Sequence, residues 1–165
     1  MTGFQTCALP IWGFETIDSL EDPRLQGKRI GIVAGTPPST NLAVNGLLDN
    51  VKSYPLVVDT RFDAPAARMI GDLEGGRIDA AILWGPIAGY QAKHAKIPMQ
   101  VTALVKEASG PRMIYRIGMG VRHSDQDWKR RLNKLIAENQ AEISHILAAY
   151  GVPLLDENNA LLAPQ

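Results

Sequence analysis

The sequence predicts an α/β protein with an open, mostly parallel sheet, and three observations carry that prediction. Residues 27–105 alternate short apolar runs with stretches of helical spacing, in the order β-α-β-α-β-α-β. One run, Ile78 to Trp84 (IDAAILW), is almost continuously apolar, which suits a parallel strand covered on both faces. Glycines and prolines at Gly35, Pro37-Pro38, Pro65, Gly75-Gly76 and Gly85-Pro86 punctuate the alternation where strands end and helices start or stop. In open sheets of this kind ligands gather at the carboxyl ends of the strands. Those ends are Gly35-Thr36, Asp59-Thr60-Arg61 and Trp84-Gly85.

Gly13 to Gln26 is an irregular lead-in with a bend or single helical turn at Asp22-Pro23. Gly27 to Thr40 (GKRIGIVAGTPPST) then opens the alternation. Ile30, Ile32 and Val33 make a short buried strand that breaks at Gly35, and Ser39 or Thr40 caps a helix over Leu42 to Val51. Pro55 admits a second strand, Leu56-Val57-Val58. Asp63 and Pro65 mark a helix through Leu73, which Gly75-Gly76 stops. After the third strand, Pro86 starts a helix running to about His94, and Met99 to Val105 is the fourth strand. Beyond the loop Ser109-Gly110-Pro111, Met113 to Val121 reads as an extended strand. Ser124 with Asp127 resembles a capping box ahead of one long helix. Trp128, Leu132, Leu135, Ile136, Ile143, Ile146, Leu147 and Tyr150 fall at three- and four-residue steps, and Gly151 with Pro153 ends the run. An apolar face of that length implies a partner surface. Leu154 to Gln165 reads as a poorly ordered tail.

The first residues stand apart. Met1 to Ile11 (MTGFQTCALPI) closely resembles the translation of a sequencing-library adapter, departing from it at Phe4, where that translation has Val. On this reading residues 1–12 are an adapter artefact, native sequence begins near Trp12 or Gly13, and Cys7, the one cysteine, carries no chemistry. The missing signal peptide then says nothing about location. Lys+Arg and Asp+Glu both count 17, so no net field draws nucleic acid or an anionic membrane. No apolar run approaches the roughly 18–20 residues that span a bilayer.

Few residues present themselves for chemistry. The chain has no nucleophile elbow, phosphate loop, zinc-protease motif or dinucleotide fingerprint, and no acid–base pair, so an enzyme is not expected. His94, His123 and His145 are scattered without a second ligand at metal spacing, so neither a metal nor a cofactor is expected. Lys129-Arg130-Arg131 reads as a solvated helix face, and Asp79 as a turn or hydrogen-bonding residue. Thr36 can offer its hydroxyl and N–H to an oxyanion at a helix start, against the plainer role of a strand-to-helix turn. Arg61 can pair bidentately with such an anion, or be an ordinary surface arginine. Trp84 stands at the right end of its strand to wall a cleft, or is simply core.

GKRIGIVAGTP, then DAPAARMIGDLEGGRIDAAILWGPIAGY, then a strand and a long closing helix, resemble the second lobe and return segment of periplasmic solute-binding proteins. More closely, they resemble the quinoprotein-dehydrogenase-associated group, encoded beside methanol dehydrogenases that use pyrroloquinoline quinone. The resemblance covers roughly residues 13–158, with GGRIDAAILWGPIAGY its most specific part. It implies a type II periplasmic-binding-protein lobe over residues 27–108 after a hinge-side lead-in at 13–26. Residues 109–153 would be a return strand and helix of an incomplete first lobe, and 154–165 a tail. It further implies a periplasmic location and a small ligand held between lobes, with Gly35, Thr36, Arg61, Trp84, Gly85 and Pro86 at the site. Thr36 matches the family's anion-contacting position, while amino-acid-binding relatives carry an acidic residue near the position of Trp84. An α-amino acid is therefore not the expected ligand. Two other roles fit the resemblance: an accessory factor that docks on the dehydrogenase to activate or mature it, and the effector domain of a transcription regulator.

Overall fold

The computed structural model describes residues 4–11, 17–156 and 158–162, with the main chain alone for residues 4–11. Its strands are β1 (Phe4–Ile11), β2 (Ile30–Val33), β3 (Val51–Tyr54), β4 (Ala80–Trp84), β5 (Gln100–Ala103) and β6 (Ile114–Arg116). Its helices are α1 (Pro37–Val44), α2 (Pro65–Glu74), α3 (Gly85–Lys93), α4 (Gln126–Glu138) and α5 (Gln140–Ala149). The sheet runs β3-β2-β4-β1-β5, and β6 also pairs with β1. The ladders β3-β2 and β2-β4 are parallel, whereas β1 is antiparallel to β4, β5 and β6.

The apolar run at 78–84 behaves as its composition requires. Ala80 and Ile82 face a core with Ile30, Ile32, Leu42 and Leu104, while Ala81 and Leu83 face a second core with Met69, Leu73 and Ala88. Alternate side chains of one strand thus enter both layers. Gly31 on β2 is required by packing, since a Cβ there would lie 2.7 Å from Ile78 Cδ1 and 3.0 Å from Met69 Cγ. Asp79 plays the hydrogen-bonding part expected of it. Its carboxylate accepts from the Arg29 N–H at 2.8 Å and from the guanidinium at 3.0 and 2.6 Å, pinning the start of β2 to the start of β4.

Several elements differ from expectation for physical reasons. Residues 4–11, set aside as adapter-like, supply β1, the strand between β4 and β5. A ladder is made by main-chain groups, so this pairing depends on an extended backbone more than on which side chains it carries. The second strand is Val51–Tyr54, not Leu56–Val58, and the first helix starts at Pro37 under an N-cap at Thr36. Prolines are tolerated in a first turn because those N–H groups have no helical partner in any case. A left-handed Gly46, φ 66°, then releases the chain toward β3. The strand expected over 113–121 is regular only at Ile114–Arg116, and the capping box is replaced by an N-cap at Asp125 without a side-chain cap bond.

The expected long helix is divided at Asn139, whose side-chain N–H donates to the Leu135 carbonyl at 2.7 Å. The same carbonyl still accepts the Asn139 main-chain N–H at 3.1 Å, so the side chain shares an acceptor of the helix ladder. Neither α4 nor α5 contains a buried residue. The tail is a tight turn within its described residues: Asp156 N–H donates to Ala160 O and Leu162 N–H to Leu154 O, each at 2.9 Å, with Leu155 buried. Among the described residues no helix is long and apolar enough to cross a membrane.

Candidate functional site

A cleft of about 710 Å³ opens at the carboxyl ends of β2 and β4. The β2-to-α1 turn contributes Val33, Thr36, Pro37 and Pro38, and β4 with the first turn of α3 contributes Leu83, Trp84 and Ile87. Leu56, Val58 and Thr60 form a rim after β3, and Tyr115, Arg116 and Ile117 close the opposite side. Among the described lining residues none is acidic, and the walls are predominantly apolar. Leu56–Val58 is therefore apolar for the cleft and its rim rather than for the sheet. Val57 is 89% exposed and Phe62 84% exposed just beyond that rim.

The residues expected at the site divide between the cleft and its supports. Gly35 turns the chain out of β2 with φ 73° and does not line the cleft. Thr36 does line it, but its Oγ1 donates to the Val33 carbonyl at 2.6 Å. Trp84, the N-cap of α3, stands at the mouth and is 43% exposed. Gly85 and Pro86 begin α3 behind it and are not lining residues. Arg61 lies outside the lining and is held by Asp59, with Nε to Oδ1 at 2.9 Å and Nη2 to Oδ2 at 2.7 Å. That hydrogen bond lowers the Asp59 pKa and raises that of Arg61. Ile87, one turn after Trp84, and the β6 residues were not expected here. The three-residue step from Trp84 points to Ile87, whereas nothing in the sequence brings 115–117 to this edge.

The strongest ionic cluster lies outside the cleft lining. Asp72 of α2 accepts from Lys52 Nζ, Tyr54 OH and Arg77 Nε, each at 2.5 Å. The bonds from Lys52 and Tyr54, with Arg77 adding to them, hold the Asp72 carboxyl well below the usual range against the opposing effect of burial. Burial first, then the bond to Asp72, pushes the Tyr54 phenol above its ordinary value. This cluster joins the edge strand β3 to α2. Among the described residues no group of three His, Cys, Asp or Glu side chains could hold a metal ion.

A second apolar groove, about 400 Å³, runs along α4 and α5 between Leu132, Ile136, Ile143 and Leu147 on one side and Ile117 and Val121 on the other. Ile117 lines both hollows. The C-terminal end of α5 rests on α3: Tyr90 and Tyr150 stack with centroids 6.1 Å apart, and Lys93 donates to the Ala149 carbonyl.

No protein-family model and no curated protein matches the sequence. Among solved structures, the periplasmic binding protein XoxJ from Methylobacterium extorquens AM1 is similar at 38% identity and a TM-score of 0.82, over 94% of this chain and 71% of that one. MxaJ from Methlophaga aminisulfidivorans MPT is similar at 18% identity and 0.66, over 93% and 68% of the two chains. A substrate-binding domain of an amino acid ABC transporter from Streptococcus pneumoniae follows at 17% and 0.55, over 91% and 66%. The last two show the fold alone, which is the type II periplasmic-binding-protein architecture with its open sheet. Its identity to XoxJ over most of both chains shows that the protein belongs to the periplasmic solute-binding protein family, in the group that contains XoxJ.

Proposed function

We propose that this chain carries the ligand-holding cleft of a periplasmic accessory binding protein, that it serves a methanol dehydrogenase system dependent on pyrroloquinoline quinone, and that it performs no catalysis. The observation that carries the reading is the apolar cleft at the carboxyl ends of β2 and β4, without an acidic group among its described lining residues. Apolar walls favour a ligand that gains by leaving water, at about 25 cal/mol per Å² of apolar surface removed. The likeness to XoxJ and the motif GGRIDAAILWGPIAGY support the association with methanol oxidation. In this reading residues 27–108 form the lobe that carries the cleft. Residues 109–153 belong to the first lobe, which accounts for the unburied face of α4 and α5.

The test is a fluorescence titration with Nile red, a neutral apolar dye, on the wild-type chain and on Ile87→Asp and Leu132→Asp. A carboxylate in the cleft should weaken binding about tenfold or more, since burying an unpaired charge costs several kcal/mol. The groove substitution should leave the cleft component unchanged. Unchanged affinity in Ile87→Asp would end the cleft reading.

A second reading, docking on the dehydrogenase itself, is favoured by the exposed apolar rim at Leu56, Val57 and Phe62. Capture of purified methanol dehydrogenase, lost in Val57→Asp/Phe62→Asp, would support it; capture unaffected by those changes would remove the rim from consideration.

A further inference from the structure

We propose that Pro37 and Pro38 make the cleft refuse a carboxylate at its α1 end, so that the ligand group meeting this wall is neutral. The inference rests on the cleft reading and adds the charge class of the ligand. A helix start ordinarily points unsatisfied N–H groups outward and carries a partial positive charge, which together attract anions. Here the first two helical residues are prolines, which have no N–H to offer. Both line the cleft, so the missing donors are missing from the cavity wall itself.

Two neighbouring donors are turned elsewhere. The Ser39 N–H donates to the Thr36 carbonyl at 2.9 Å, and the Thr36 hydroxyl donates to the Val33 carbonyl at 2.6 Å. Arg61, the cation that could have approached this wall from the β3 side, is occupied by both oxygens of Asp59. A carboxylate brought here would lose its hydration and regain few hydrogen bonds, whereas an alkyl chain or an alcohol loses little. The structural role of Thr36 is thus to shape the turn, and specificity lies in the two residues after it.

The experiment titrates 1-octanol and octanoate, matched in apolar length, into ¹⁵N-labelled protein while the amide resonances of Thr36 and Ile87 report on the cleft. The wild-type chain should favour octanol. Pro37→Ala/Pro38→Ala restores two donors and should tighten octanoate by about fivefold, the size of an anion contact at a helix start, leaving octanol within about twofold. Pro38 is buried and Pro37 exposed, so Pro37→Ala alone is the variant that spares the packing, with a smaller change of the same sign. Equal wild-type affinity for the two ligands, or tighter octanoate binding that disappears in Arg116→Gln, would overturn the proposal by placing carboxylate recognition on β6. An octanoate-to-octanol ratio unchanged in both proline variants would overturn it as well. Absence of cleft shifts with either ligand would instead strike down the cleft reading beneath it.

Discussion

Replacing Asp72 by asparagine preserves its size and removes the charge that joins β3 to α2. Three donors converge on that carboxylate: Lys52 and Arg77 have side chains 46% and 60% exposed, while the third, Tyr54, is a buried residue. Water screens the two cations, so each pair contributes only about 0–1 kcal/mol. The buried phenol cannot turn to solvent, and leaving it poorly paired costs about 1–3 kcal/mol. Mid-range values add to about 3 kcal/mol at neutral pH, which for a chain of this size lowers Tm by roughly 6–12 °C. The effect carries a pH signature. The folded-state pKa of Asp72 is depressed, so its contribution is complete above the unfolded carboxylate value near about 3.9 and is lost as pH falls toward the folded value. Urea unfolding followed by circular dichroism at pH 7 and pH 3 should therefore show the gap between wild type and Asp72→Asn narrowing by about 1 kcal/mol at the lower pH. A gap under about 0.5 kcal/mol at pH 7, or one that stays constant down to pH 3, would refute the assignment of the cluster as a staple.

Gly31→Val should be among the most damaging single changes in the sheet, because its side chain enters the space held by Met69 and Ile78; thermal denaturation should show a loss of about 1–3 kcal/mol or more. Gly89→Ala places a Cβ 1.7 Å from the Gly151 carbonyl oxygen. Hydrogen exchange should then rise across α5 and residues 150–155 while β2 and β4 keep their protection. Leu135→Gln and Ile146→Gln alter side chains that are 44% and 48% exposed, so each should change stability by less than about 0.5 kcal/mol. A larger loss in urea titrations would mean that the face of α4 and α5 is already covered in solution.

What could be read in the chain follows from how each element is stabilised. The strand at β4 is legible because both its faces are buried, and α2 because Pro65 and Gly75-Gly76 fix its ends. The edge strand β3 is not, since only Tyr54 of its four residues is buried and the apolar Leu56–Val58 beside it is the stronger pattern. The position of β1 was hidden for another reason: a main-chain ladder has no sequence signature that outweighs an adapter-like composition. The helix divides at Asn139, whose φ of −110° leaves helical geometry while the apolar spacing continues on both sides. At the site, Trp84 was placed by strand topology alone. Arg61 takes the surface role that was its plainer alternative, held by a partner two residues earlier within its own loop. The contribution of 115–117 depends on β6 pairing with β1, a contact no local pattern announces.

The cleft itself is tested most directly by mapping a bound neutral dye residue by residue. In ¹H–¹⁵N spectra recorded with Nile red, the largest shifts should fall on Val33, Thr36, Trp84 and Ile87, with the α4–α5 groove little changed. Shifts centred instead on Leu132, Ile136 and Leu147, with the β2–α1 and β4–α3 turns silent, would contradict the account.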